Sequence, residues 1–265
     1  MHELVVLTPW DLALAALLLC IPAAISIGLK LGLEKSLGIA AVRTTGQLAL
    51  IGLILEWVFA LNRWYLVLPV LLVMLVAAAR AAIARSERRF PGAYVAAFGS
   101  LVLASSLTAF SVTEVVIGVE PWYAPRYVIP LVGMLLGNAL NGISLGLDRL
   151  LSDLVKKRRA VEARQALGAT NWRAVLPWMR DAIRAGMVPI INSMMIVGLV
   201  SLPGMMTGQI LAGADPANAV AYQILIMFMI AACTALGVIA LCLVAFRSLS
   251  HPEVRIRWER IVEDG

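Results

Sequence analysis

The chain has 265 residues, of which 61% are hydrophobic and only 14% charged, with a mean hydropathy of +0.89. A water-soluble domain at that balance would expose too much apolar surface, so the soluble classes are excluded. The net charge of +6 comes from basic residues that flank apolar runs, which fits membrane topology and not a nucleic-acid partner.

A bilayer core of about 30 Å needs roughly 20 apolar residues per helix. Seven spans are predicted in chain order: 12–29, 39–61, 64–83, 94–117, 127–147, 186–211 and 217–246. The first is not a cleavable signal peptide, because Glu3 and Asp11 stand where a basic head belongs and the apolar run is too long. The expected fold is all-α, a polytopic integral membrane protein forming a single transmembrane domain over 1–265. No internal repeat and no low-complexity tail stand out.

The basic residues set the orientation. Of the 22 lysines and arginines, all but Arg63 and Arg126 fall in alternate connections, at the lips of the spans beside them, or in the C-terminal tail. Lys30, Lys35 and Arg43 follow the first span; Arg80, Arg85, Arg88 and Arg89 follow the third; most of the rest lie in 149–184. The positive-inside rule then puts the N-terminus outside and the C-terminus inside, which requires an odd number of spans. Trp57, Trp64, Tyr65, Trp122, Tyr123 and Tyr127 fall near the outer interface, and Trp172, Trp178 and Trp258 near the inner one. The predicted setting is the inner (cytoplasmic) membrane, multi-pass.

Within the fifth span, Gly133 precedes Gly137 by four residues and Gly142 precedes Gly146 by four. Such steps let helix backbones approach closely, either within one bundle or at a seam between two copies. Asp215 suits a helix N-cap and Pro216 the first helical position. Cys20, Cys233 and Cys242 all lie inside spans, so no disulfide framework is implied.

Residues 149–184 form the longest charged connection. Lys156 to Leu167 reads as an amphipathic helix with an Arg159–Glu162 pair, Gly168 as the left-handed residue that closes it, and Thr170 or Asn171 as the cap of a second helix running toward Pro177. This is either an ordinary surface helix or a part on which a second protein docks.

Polar residues are few inside the spans. Arg43 and Gln47 share a face of the second span, Asn138 and Asn141 a face of the fifth, and Asn192 and Ser193 begin the sixth. They either line a hydrophilic route or bond between helices. Ser201, Pro203 and Gly204 interrupt the sixth span, with Pro203 roughly 26 Å along a helix from Gly186. A broken helix at that depth either lines a cavity or is a kink for packing. Met205 and Met206 follow, with Met194 and Met195 before the break. Thioethers are soft ligands suited to copper(I), and methionine is also a filler of apolar gaps. No set of metal ligands is named by the sequence. His2 and His251 lie near the ends, so neither a histidine metal site nor a Ser-His-Asp arrangement can be built in the bundle.

Residues 162–170 (EARQALGAT) with Leu176-Pro177 resemble the EAA loop of ABC-transporter permeases, with Arg164 where that loop usually carries alanine. The runs 130–138 (PLVGMLLGN), 179–189 (MRDAIRAGMVP), 197–208 (VGLVSLPGMMTG) and 212–216 (AGADP), with Arg43 and Gln47, are similar to the bacterial iron-export permeases and the plant aluminium-tolerance permeases grouped with them. The resemblance implies a coupling loop carried by Glu162, Ala163, Gly168, Ala169, Leu176 and Pro177, which fits a groove on a separate ATP-binding subunit. It also implies a permease homodimer that exports iron or another metal ion.

The translocation path is assigned to Asn138, Asn141, Asn192, Ser193, Ser201, Pro203, Gly204, Met205 and Met206. The chain has no phosphate loop ending in Gly-Lys-Ser or Gly-Lys-Thr, so it is expected to be no enzyme and to bind no cofactor; ATP and magnesium are expected on the partner. The competing readings are a self-sufficient channel or secondary transporter, an ABC permease for a non-metal solute, and an intramembrane enzyme. The first needs an intramembrane charge pair or an inverted repeat, and the last a buried catalytic acid or base; neither is evident.

Overall fold

The computed structural model describes residues 8–118, 120–250 and 256–263. His2, Glu3, Val119, His251 and Arg255 lie outside the described residues. The chain is all-α apart from one two-stranded pairing, and it divides into two compact units: Met1–Asn62 with Leu211–Gly213, and Arg63–Ile210 with Ala214–Gly265.

In the first unit, α1 (Pro9–Leu17) opens on Thr8, whose hydroxyl accepts from the Asp11 backbone N–H while the Asp11 carboxylate accepts from the Thr8 backbone N–H, a reciprocal capping box. α2 (Cys20–Gly28) follows almost without a break, and α3 (Glu34–Leu61) is tied back to it by the Ser26 hydroxyl donating to Glu34 at 2.8 Å. α3 ends at Asn62, which takes the left-handed conformation at φ 44°.

The second unit holds the core. Its helices are α4 (Trp64–Ala84), α5 (Ala93–Phe110, continued as a π-helix over Ser111–Ile117), α6 (Pro125–Lys156), α7 (Arg158–Ala166), α8 (Asn171–Ile196), α9 (Gly204–Leu211) and α10 (Pro216–Leu249). α6 is central and packs against α4, α5, α8 and α10. At 32 residues it is about 48 Å long, against a hydrocarbon core of about 30 Å, so it is longer than one crossing requires, and its charges gather in its C-terminal turns. That charged end is fastened by hydrogen bonds. The Ser144 hydroxyl donates to the Ala82 carbonyl at 2.7 Å, Asp148 accepts from the Glu87 backbone N–H at 3.2 Å, and Arg88 donates to Ser152 at 2.9 Å. Beside them β1 (Arg88–Arg89) pairs antiparallel with β2 (Val262–Glu263), which ties the end of the chain to the α4–α5 connection.

Six stretches among the described residues are long and apolar enough to cross a membrane: Trp10–Gly28, Glu34–Leu61, Trp64–Ala84, Ala93–Glu114, Pro125–Lys156 and Pro216–Leu249. They match six of the seven expected spans. The seventh, expected over 186–211, is not one helix. α8 ends at Ile196, and residues 197–203 form a loop in which the Gly198 backbone N–H donates to the Ser201 carbonyl at 2.9 Å and Gly198 sits at φ +86°. The break therefore starts at Val197, ahead of the Ser-Leu-Pro-Gly run that announced it. Asp215 caps α10 by accepting from the Asn218 backbone N–H at 3.1 Å, with Pro216 at the first position, as its sequence suggests.

Of the two glycine steps in α6, Gly142–Gly146 falls inside the bundle. A Cβ on Gly142 would lie 2.8 Å from the Gly186 carbonyl oxygen, and one on Gly186 would lie 2.6 Å from that of Gly142. A Cβ on Gly146 would meet Val238 of α10 at 2.9 Å, whereas one on Gly137 meets nothing within 4 Å. Since the obstruction at Gly142 and Gly186 is backbone, no rotamer change relieves it. Gly186→Leu is expected to destabilise the bundle by about 1–3 kcal/mol, and Gly137→Ala to leave it unchanged, as read from thermal unfolding in detergent.

Candidate functional site

Two regions of the second unit gather the residues singled out by the sequence. The first is the elbow between α7 and α8, at the end of the bundle that carries the basic residues. A break at Lys157 (φ −106°, ψ 18°) separates α6 from α7, so the amphipathic helix starts at Arg158 and not at Lys156. Val161 is its buried anchor. Glu162 accepts from Arg158, four residues back, at 2.8 Å.

α7 closes in a Schellman motif. The Ala169 N–H donates to the Arg164 carbonyl and the Gly168 N–H to that of Gln165, both at 3.0 Å, with Gly168 at φ +88°. The Thr170 hydroxyl then caps α8 by accepting from the Arg173 N–H at 3.3 Å, and Gln165 Nε2 donates to Asn171 Oδ1 at 2.6 Å across the bend. Arg164, the departure from the EAA pattern, lies over the Trp178 ring at 5.2 Å, and Arg158 over that of Trp258 at 5.4 Å. These contacts fix the angle between the two helices by several independent bonds.

The outer surface of this elbow is formed by Ala163, Arg164, Ala166, Leu167 and Gly168. Leu167 is 88% exposed at its tip. An aliphatic side chain held that far into solvent on a rigid bend is suited to insertion into another surface. Sequence reasoning passed over Leu167, because an apolar residue at the end of an amphipathic helix reads as part of its buried face. Leu176 and Pro177 lie within the first turns of α8, half-buried, and the helix continues past Pro177.

The second region is a cavity of about 300 Å³ among α6, α8, the 197–203 loop, α9 and α10. It brings together six of the nine residues assigned to a path: Asn138, Ser193, Ser201, Pro203, Gly204 and Met205. Asn141 lies one turn along α6, where its Oδ1 accepts from Arg85 and its Nδ2 donates to the Gly137 carbonyl at 3.1 Å. Asn192 is exposed and lines neither this cavity nor its two neighbours. Met206 lines an apolar neighbouring cavity of about 540 Å³.

Met134, Gln223 and Met227 are among the residues of the central cavity that were not foreseen. Gln223 is 7% exposed, and its Oε1 is buried with no hydrogen-bond partner. An orphaned amide oxygen costs about 1–3 kcal/mol, so it marks a place where polarity is kept for something other than stability. A further cavity of about 280 Å³ adjoins, with Met205 and Ile226 lining both; it holds Arg126, Tyr127, Gln209 and Tyr222. Among the described residues no three His, Cys, Asp or Glu side chains come together as a metal site.

Replacing Gly168 with valine forces a β-branched residue to φ +88°, where L-residues pay about 1–2 kcal/mol. Gly168→Val should therefore speed amide hydrogen exchange across 164–173 while leaving α6 and α10 protected, measured by exchange mass spectrometry.

Comparison with known proteins agrees with this architecture. The model of the Uncharacterised protein family (UPF0014) matches residues 9–250. The chain is 43% identical over 208 residues to the UPF0014 membrane protein slr1647 of Synechocystis, covering 78% of this chain and 80% of that one. It is 33% identical over 241 residues to the probable iron export permease protein FetB of Escherichia coli (91% and 92% of the two chains). It is 35% identical over 219 residues to protein ALUMINUM SENSITIVE 3 of Arabidopsis thaliana (82% and 78%). No solved structure matches the chain. With 43% identity to one member and a family match that spans both units, this multi-pass membrane protein belongs to the UPF0014 family.

Proposed function

We propose that the chain is the membrane-spanning subunit of an ATP-driven ABC transporter that exports a metal ion across the cytoplasmic membrane. In this reading the α7–α8 elbow is the coupling element. The observation that carries it is the rigid bend at Gly168, which presents Leu167 to solvent at the basic end of the bundle, within the EAA-like run 162–170. The name of the FetB relative supports export of iron or a similar ion. A separate ATP-binding subunit supplies ATP and magnesium, and seats Leu167, Ala163 and Gly168 in its groove. The broken sixth segment completes seven crossings, with the N-terminus outside and the elbow inside. Two copies of the chain pair so that the exposed Gly137–Asn138–Asn141 face of α6 is covered and the central cavities meet.

Mechanically, nucleotide-driven closure of two ATP-binding subunits moves the elbows, and each elbow moves α7 and α8 together. Asn138 on α6 and Ser193 on α8 then shift against Gln223 on α10, which opens the cavity to one side and then to the other.

The purified chain should not hydrolyse ATP alone. In the assembled complex, Leu167→Asp or Glu162→Lys should lower coupled ATPase activity and transport at least tenfold while the chain still inserts and folds; unchanged transport in both variants would remove the elbow from the mechanism. Leu167→Cys should react with a membrane-impermeant maleimide only in inside-out vesicles, and labelling of intact cells would reverse the orientation.

A further inference from the structure

The central cavity has a donor set that the metal-export reading leaves unspecified. Three methionines from three different helices line it: Met134 of α6, Met205 of α9 and Met227 of α10. The other polar groups are all neutral. The Asn138 amide donates to the Met134 carbonyl at 2.9 Å, which leaves its carbonyl oxygen for a ligand. Ser193 and Ser201 contribute hydroxyls, and Gln223 contributes a buried oxygen with no partner. No charged side chain lines the cavity.

A hard cation wants carboxylates or a near-complete shell of oxygens, and transition ions such as iron(II) favour imidazole or carboxylate; none of these is present in the lining. Thioethers bind soft ions, copper(I) foremost. Neutral ligands also suit a small ionic charge, because each additional charge buried without a counter-ion raises the desolvation cost steeply.

We propose that Met134, Met205 and Met227 form a binding site for a soft monovalent metal cation of the copper(I) or silver(I) type, with the Gln223 carbonyl oxygen as a fourth donor. The site as a transport station rests on the reading above, but binding itself needs neither ATP nor a partner. Gln223 supplies the reason that the site is more than apolar filling: the buried oxygen without a hydrogen bond gains a partner when a cation arrives. Met205 is placed to adapt, since its flexible side chain sits on a short helix beside the 197–203 loop.

The test is silver(I) titration by calorimetry of the full-length chain in nanodiscs, in chloride-free nitrate buffer. A background of Cys20→Ser, Cys233→Ala and Cys242→Ala removes the competing thiols. One tight silver(I) site is expected. Met205→Leu alone should weaken it at least tenfold, and Met134→Leu/Met205→Leu/Met227→Leu should abolish it, while Met195→Leu changes nothing. Leucine is close to methionine in volume, so thermal unfolding should stay within a few degrees and verify that the triple variant folds. X-ray absorption of the bound silver should show sulfur neighbours. Equal silver binding by the triple variant, or no site in the parent, overturns the proposal even if ATP-driven transport is normal. No ATP-driven transport by the unsubstituted chain in its assembled complex, with silver binding intact, overturns the transport reading and leaves this site standing.

Discussion

Two peptide backbones approach closely at Gly142 of α6 and Gly186 of α8. A single methyl group at either position would run into the other helix's carbonyl oxygen at 2.6–2.8 Å. Because membrane helices gain little from apolar burial against each other, such close contact supplies much of what holds them together, through dispersion and the exclusion of lipid. It also sets the distance between the two walls that carry Asn138 and Ser193. Every feature assigned to function hangs from this contact: the elbow joins the charged ends of the same two helices, and the cavity opens beyond their crossing.

Local chemistry made much of this legible in the sequence. Asp215-Pro216 and Thr170 announce helix starts because caps act over three residues, and Gly168 announces a stop because the left-handed region favours glycine. The Pro203-Gly204 pair announced a broken segment, yet the helix ends earlier, at Ile196, since Gly198 at φ +86° turns the chain before the proline is reached. Lys157 illustrates the converse: its sequence gives no breaker, yet it separates α6 from α7, and within α7 it is Arg158, four residues back, that pairs with Glu162.

What could not be read was convergence. Met134, Gln223 and Met227 look like ordinary residues of apolar helices, and only the packing of α6 against α10 puts them around one space. Asn141 shows the same point from the other side. By helical spacing it shares a face with Asn138, but Arg85, from the end of α4, engages it and takes its carbonyl oxygen out of play. Helical periodicity assigns a side chain to a face, and the neighbour's identity then decides what that face does.

Arg126 gives the neighbouring cavity a character that the thioethers do not share. Met205 and Ile226 form the wall between a neutral chamber and one that holds a guanidinium. A guanidinium repels any other cation brought near it, and a part-buried setting screens that repulsion less than water does. A small positive ion at the proposed site would therefore be repelled on that side. In the transport proposed above, the charge of Arg126 would resist passive leakage in that direction.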